Sequence, residues 1–282
     1  MTITENNWKD KKLKNHYIYL HKYHNDYLFN FKFGSYFSSK VMLKYLKRFP
    51  NYNILEIGIG AGNFFRYLKI NNCKNSYTGA DISDNYVQLA KDLHKSNCFI
   101  LTDHIAKTNL DSKYDIVYSR NVALHQSNPY DFIENLLKKT KKILILELKT
   151  RDNGKTKYDT NNSCQLIDGA WVPYIVLNYN ELKEFLKRKL KLINAKIYLN
   201  REYTILGGKN SRYLDKELYL KETKGANTTI ILEIDKNEKS IENNHPQQEI
   251  FETFKNDTQL KKNLFYYFFA TLNKLKNVIK YR

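Results

Sequence analysis

The chain has 282 residues, enough for one large domain with attachments, and its 42% hydrophobic and 14% aromatic content excludes wholesale disorder. With 10 glycines, 4 prolines and only Cys73, Cys98 and Cys164, no CxxC among them, it is neither collagen-like nor a disulfide scaffold nor a cysteine-rich zinc protein. A net charge of +18 fits nucleic acid, anionic lipid or an acidic substrate as partner, or simply a Lys- and Asn-rich background.

Residues 1–35 are a basic stretch crowded with Tyr17, Tyr19, Tyr23, Tyr27, Phe29, Phe31 and Phe33. Such rings among lysines fit a lid, a packed core or a base-stacking surface. MTITENNWKDKKLKNH has no signal-peptide apolar run, and no stretch of the chain nears the roughly 18 apolar residues of a membrane span, so a cytoplasmic location is expected. Over 36–49, Phe37, Val41 and Tyr45, with Met42, Leu46 and Phe49, fall at helical spacings, and Pro50 ends the helix.

From Asn53 short apolar runs alternate with helical stretches. Strands are predicted at Asn53–Ile57, Ser76–Ala80, Cys98–Leu101, Tyr114–Ser119 and Lys142–Leu148, the last the most apolar. Helices are predicted through Phe64, Phe65 and Leu68, over Asn85–His94 and over Tyr130–Lys139. This alternation predicts an α/β fold, a parallel sheet with helices on both faces and its strand-to-helix loops on one edge.

Residues 149–178 have no clear period and read as an insertion over the strand ends. Trp171, Pro173, Tyr174 and Tyr179 within or beside it either shape an acceptor pocket or simply pack. A helix over Tyr179–Lys191 and strands at Leu192–Leu199 and Thr228–Ile234 follow, the two strands separated by a loop with Gly207, Gly208, Lys209, Asn210, Ser211 and Arg212 that reads as a mobile lid or a plain turn. Residues 235–249 are a polar linker, and Leu260, Leu264, Phe268, Leu272, Leu275 and Ile279 then predict a basic amphipathic helix. That helix could dock on its own domain, on a second subunit or on an anionic membrane surface. The expected organisation is an N-terminal extension (1–49), a central domain (50–235) and a linker with a terminal helix (236–282).

The segment with chemical content is Glu56-Ile57-Gly58-Ile59-Gly60-Ala61-Gly62. A strand ends in glycines that allow a sharp turn and close ligand approach, and the next helix offers unpaired N–H groups. A dinucleotide fingerprint would need a third glycine where Asn63 stands. Glu56 just before the turn would repel a pyrophosphate and suits a ligand with a positive centre or an amino group.

This segment resembles the first motif of class I S-adenosylmethionine-dependent methyltransferases, whose cofactor carries an amino-acid moiety and a sulfonium. Asp81 after the second strand, Asp103 after the third, and Tyr114-Asp115-Ile116-Val117-Tyr118-Ser119-Arg120-Asn121-Val122-Ala123-Leu124-His125 agree with the family's later motifs. The resemblance covers about residues 50–148. It implies a mostly parallel seven-stranded sheet and S-adenosyl-L-methionine as cofactor, held by Glu56, Gly58, Gly60, Gly62, Asp81, Ile82, Asp103 and Arg120. Asp81 would grip the ribose diol, Ile82 pack on the adenine, and Asp103 accept from its amino group. Asp81 could instead be a simple helix cap, since Ser83 and Asp84 follow, although capping would not require the strand-end position, and Asp103 could be a turn residue.

Asn121 and His125 are the catalytic candidates, His125 as a base for a hydroxyl proton or else a surface histidine. Asp103-His104 lacks further ligands nearby in sequence, so no metal is expected. The chain has neither an Asp/Asn-Pro-Pro-Tyr motif nor a Pro-Cys dipeptide, and Arg120–His125 resembles the same segment of small-molecule methyltransferases. Residues 162–178 resemble, faintly, enzymes encoded with surface-glycan genes. Methyl transfer to a hydroxyl of a small molecule, sugar or surface-glycan precursor is therefore expected, with an RNA methyltransferase gripping phosphates through basic flanks, or a non-catalytic scaffold, as alternatives.

Overall fold

The computed structural model describes residues 3–13, 18, 26–102, 113–190, 195–206, 212–213, 216–234 and 250–255. Two short 3-10 turns, Glu5–Lys9 and Lys11–Leu13, open the chain, followed by helices α1 (Asp26–Ser35) and α2 (Phe37–Arg48). The alternating region supplies β1 (Ile54–Ile57), α3 (Asn63–Ile70), β2 (Tyr77–Asp81), α4 (Asp84–His94), β3 (Phe99–Leu101), β4 (Tyr114–Arg120), α5 (Pro129–Lys139) and β5 (Thr140–Arg151). Then come β6 (Cys164–Ile167), β7 (Ala170–Pro173), β8 (Leu177–Asn178), α6 (Tyr179–Leu190), β9 (Ala195–Tyr203), β10 (Arg212–Tyr213), β11 (Gly225–Ile234) and β12 (Ile250–Lys255).

Among the described residues nine strands form one sheet in the order β12-β9-β11-β5-β4-β1-β2-β3, with β8 beside β5. Only β11 runs antiparallel to its neighbours β5 and β9. The chain order reverses between β1 and β4, which pair in parallel from Ile54 with Ile116 to Ile57 with Ser119. Strand ends at such a reversal leave a crevice between the loops that follow them.

The sheet sorts its residues by the period-two rule. Leu55, Ile57, Leu144, Leu146 and Leu148 face one core together with Ile133, Leu136, Leu182 and Leu186 from α5 and α6. Ile54, Ile143 and Ile145 face the other, against Met42, Leu46, Phe64, Leu68, Val87 and Ala90 from α2, α3 and α4. Helices thus cover both faces, as the unbroken apolar strands require. Asn128 starts α5 by accepting from the Asp131 N–H, with Pro129 in the first helical position.

The seven expected strands are present, and β8 and β12 join them. Ile250–Lys255 differs from the sequence reading, which passed from a polar linker directly to a helix. Ile250, Phe251, Thr253 and Phe254 suit a strand, and the edge of β9 offers an unpaired ladder that β12 takes up in parallel. The linker 235–249 and the helical positions 260–279 lie outside the described residues. β5 runs on to Arg151, so the first residues of the expected insertion belong to the sheet, while β6 and β7 form a hairpin joined by β10.

Candidate functional site

A cavity of about 590 Å³ opens at the reversal between β1 and β4. Its floor is the glycine turn. Gly58, Gly60 and Gly62 have φ of 81°, 52° and 72°, the left-handed region that a side chain strains. A Cβ on Gly58 would stand 2.1 Å from Val122 Cγ2, so the turns after β1 and β4 meet across a gap that only glycine fits.

Asp81 ends β2 as expected and is buried. Its carboxylate accepts from the Gly60 N–H at 3.1 Å and the Ser83 N–H at 3.0 Å, tying the glycine turn to the start of α4. Burial pushes the carboxyl up from its ordinary 3.8 to about 6, against the pull of these backbone donors. The structure therefore gives Asp81 a loop-fixing role on the cavity wall, with Ile82 beside it. Glu56 is also buried and accepts from the Tyr77 hydroxyl. Burial raises it from 4.5 to about 8, outweighing that hydrogen bond and the Arg120 charge.

At the end of β4 the Arg120 guanidinium lies 4.8 Å from the centre of the Phe33 ring and 4.4 Å from that of Tyr36, both from the N-terminal extension. Burial disfavours its charge, but Tyr118, Glu147 and Tyr36 outweigh that and hold it cationic. Asn121 follows in the left-handed region at φ 57°, where Asn is tolerated. Its N–H donates to the Glu147 carbonyl at 2.7 Å and its Nδ2 to Glu147 Oε1 at 3.1 Å. Ser38 of α2 donates to the other Glu147 oxygen at 2.5 Å. Glu147 was not singled out in the sequence, though a lone carboxylate inside Ile143–Leu148 was a visible signal of a buried polar role.

His125 closes the short 3-10 turn Ala123–His125. Its Nδ1 lies 2.6 Å from the Pro173 carbonyl, which can only accept, so Nδ1 carries the proton and Nε2 is the basic nitrogen. Tyr174 packs near its ring at 6.1 Å and Trp8 packs edge-on at 4.7 Å. Pro173 and Tyr174 thus support the site. Trp171 is 40% exposed and offers its carbonyl to Asn7 Nδ2, whereas Tyr179 lies under the Arg201 guanidinium away from His125's neighbours.

The N-terminal turns reach over this end. Glu5 accepts from the Ser127 N–H at 3.2 Å and its hydroxyl at 2.5 Å, Asn85 donates to the Lys9 carbonyl, and Leu13 is fully buried beside Tyr86, Ala170 and Val172. Glu5 and Trp8 line the cavity and carried no local signal in the sequence. Four buried polar atoms on its wall have no hydrogen-bond partner: Thr102 Oγ1, Asn63 Oδ1, Asn121 Oδ1 and Trp8 Nε1. Asp103, His104 and 207–211 lie outside the described residues. No group of three or more His, Cys, Asp or Glu among the described residues could hold a metal, and no helix among them is long and apolar enough to cross a membrane.

The methyltransferase-domain family matches residues 27–188 of the chain. A putative methyltransferase, 235L, of Invertebrate iridescent virus 6 is 30% identical over 114 residues, 39% of this chain, and the match spans only 43% of the viral protein. Among solved structures, the [4+2]-cyclase SpnF is 14% identical with a TM-score of 0.50, covering 69% of this chain and 79% of the cyclase. The plantazolicin methyltransferase BpumL, solved with a desmethylated plantazolicin analogue and S-adenosylhomocysteine, is 16% identical with a TM-score of 0.49, covering 80% of this chain and 93% of its own. The cyclase shares the fold, and a fold by itself does not fix the chemistry.

Proposed function

The chain belongs to the methyltransferase-domain family, an S-adenosylmethionine-dependent enzyme of class I, and on that premise we propose that it methylates a hydroxyl of a small molecule or sugar, such as a surface-glycan precursor. The cavity fits the cofactor on its own terms. Unpartnered buried polar atoms cost roughly 1–3 kcal/mol each, so Asn63 Oδ1 and Asn121 Oδ1 call for a ligand with donors, and the Thr102 hydroxyl for a donor or an acceptor. Gly58 and Gly60 would bring backbone against it, while Gly62 lies off the cavity wall with its missing Cβ making room for His94 and Phe99. Glu56 and Asp81 would face the cofactor's amino group and ribose, Ile82 its base, and Arg120 the neighbouring charge. In the same reading Asp103 serves the base. When bound, S-adenosylmethionine supplies an electrophilic methyl group and leaves as the neutral thioether.

The observation that carries the hydroxyl assignment is His125. The Pro173 carbonyl fixes its tautomer, so Nε2 is the site that takes the acceptor's hydroxyl proton as the oxygen gains its bond to carbon. Glu147 and Ser38 hold Asn121 so that its amide nitrogen is committed, which leaves Oδ1 to the ligand. The N-terminal turns serve as a lid that keeps water from the reacting atoms, and much of the acceleration is positioning.

The test is calorimetric binding of S-adenosylhomocysteine, then incubation of cell extract with deuterated-methyl cofactor and mass spectrometry of the products. Label on the oxygen of a small molecule or glycan precursor is expected. Label on RNA overturns the acceptor, and absent cofactor binding overturns the enzyme.

A further inference from the structure

The end of the cavity away from the glycine turn is walled by Glu5 and Trp8, by His125 and Ser127 after β4, and by Asp131 of α5. Its charge runs against that of the molecule. The chain carries +18 overall, yet the acids here are two carboxylates, and among the described residues the one Lys or Arg on the cavity wall is Arg120. Arg120 is already held by the Phe33 and Tyr36 rings and by the Glu147 charge. A phosphate entering this end would lose its water and meet like charge, with no free cation among the described residues of the cavity wall to replace it.

Trp8 supplies an independent observation. Trp8 lines the cavity, and its indole N–H is buried with no hydrogen-bond partner among the described residues of the protein. Indole nitrogen is a donor only, so a group that satisfies it brings an acceptor atom. The ring packs 4.7 Å from that of His125, the residue assigned to take the hydroxyl proton.

Resting on the methyl-transfer reading above, we propose that this end takes a hydroxyl-bearing, phosphate-free acceptor, with the Trp8 N–H donating to an oxygen next to the reacting hydroxyl and Glu5 and Asp131 turning phosphorylated molecules away. The N-terminal segment is then part of the acceptor site and sets its specificity.

Small molecules from the cells that make the protein are separated on an anion exchanger at neutral pH. The unretained and retained fractions are each incubated with the full chain and deuterated-methyl S-adenosylmethionine. Label in the unretained fraction is expected; label confined to the retained fraction overturns the proposal. Trp8→Phe keeps an aromatic ring and removes the donor, so KM for the labelled acceptor rises about tenfold, the loss of roughly one hydrogen bond, with kcat nearly unchanged. An unchanged KM, or an equal loss of S-adenosylhomocysteine affinity, overturns the role of Trp8. Asp131 is an exposed helix residue whose replacement leaves the core intact. Asp131→Lys is expected to raise the share of label in the retained fraction severalfold, and an unaltered share overturns the charge argument. A wild-type chain that fails to bind S-adenosylhomocysteine rejects the methyltransferase reading itself. One that binds it and labels neither fraction rejects only the present proposal.

Discussion

At the glycine end of the cavity the wall is built mainly from the turns that leave β1, β2 and β4, whereas the far end is closed by a segment that meets the site from 122 residues away, Glu5 against Ser127. The first end is held by backbone geometry: left-handed glycines, Asp81 accepting from two N–H groups, and Val122 pressed on Gly58. The second is held by side chains, with Trp8 on His125 and Glu5 on Ser127. A site fixed by backbone tolerates few substitutions but is rigid when empty. One fixed by side chains can open, which a ligand that must enter and leave requires.

The largest effect that tests this contrast is at Gly58. Gly58→Ala adds a Cβ 2.1 Å from Val122 Cγ2 at φ 81°. Steric strain at such a φ and overpacking together cost about 3 kcal/mol, read as lost stability in denaturant unfolding together with loss of S-adenosylhomocysteine binding. Gly169, in the β6–β7 turn near the far end, has φ 84°, but its added Cβ would meet only Lys12 Cδ at 3.6 Å. Gly169→Ala is expected to cost only the backbone strain, about 1–2 kcal/mol. Equal losses at the two glycines would erase the distinction.

Glu147 comes next, because it ties α2 to the glycine end. Glu147→Leu orphans the Asn121 amide nitrogen, leaves the Ser38 hydroxyl only its 3.4 Å contact with the Tyr118 hydroxyl, and removes the charge beside Arg120. A loss of about 2–4 kcal/mol is expected from the unsatisfied groups, measured by thermal or denaturant unfolding, with Glu147→Gln recovering a good part of it.

Much of the glycine end was legible in the sequence because its signals are local. Three glycines at alternate positions after an apolar run, an acid at the end of the second strand, and a polar pair at the exit of the fourth each fall within a few residues. The order of strands and helices was legible for the same reason: periods of two and of three to four are written in short windows. Trp8, Glu5 and the Glu147 network were not, since their meaning lies in partners far along the chain. β12 escaped because its pairing with β9 is an edge contact that no local period announces. Asp81 was legible in place, while its two backbone donors show a loop-fixing role whatever it binds.

A pH series sharpens the picture of the glycine end. Glu56 and Asp81 are both raised by burial, from 4.5 to about 8 and from 3.8 to about 6. Groups raised on folding contribute stability that is complete below their unfolded values and is lost as pH climbs through their folded ones. The ligand-free protein should therefore lose stability as pH rises from about 4 to about 8, with Asp81 and Glu56 both acting up to about 6 and Glu56 alone above it. Glu56→Gln is expected to flatten the upper part in thermal unfolding, and a slope that persists would assign it to other groups.

The smallest effect lies at the far end. Ser127→Ala removes the hydroxyl that donates to Glu5 at 2.5 Å and leaves the backbone N–H donating at 3.2 Å. One half-buried hydrogen bond contributes about 0.5–1.5 kcal/mol. If the N-terminal turns open as a unit, that loss appears locally, as faster amide exchange in residues 3–13 and faster release of S-adenosylhomocysteine, with the unfolding midpoint of the central sheet nearly unchanged. Leu13, fully buried beside Tyr86 and Val172, is the residue that could defeat this expectation. Its burial could couple the segment to α4 and to the hairpin strongly enough that opening requires disturbing both. Global destabilisation by Ser127→Ala would then show that the roof of the cavity folds with the sheet, and the acceptor would have to enter by another route.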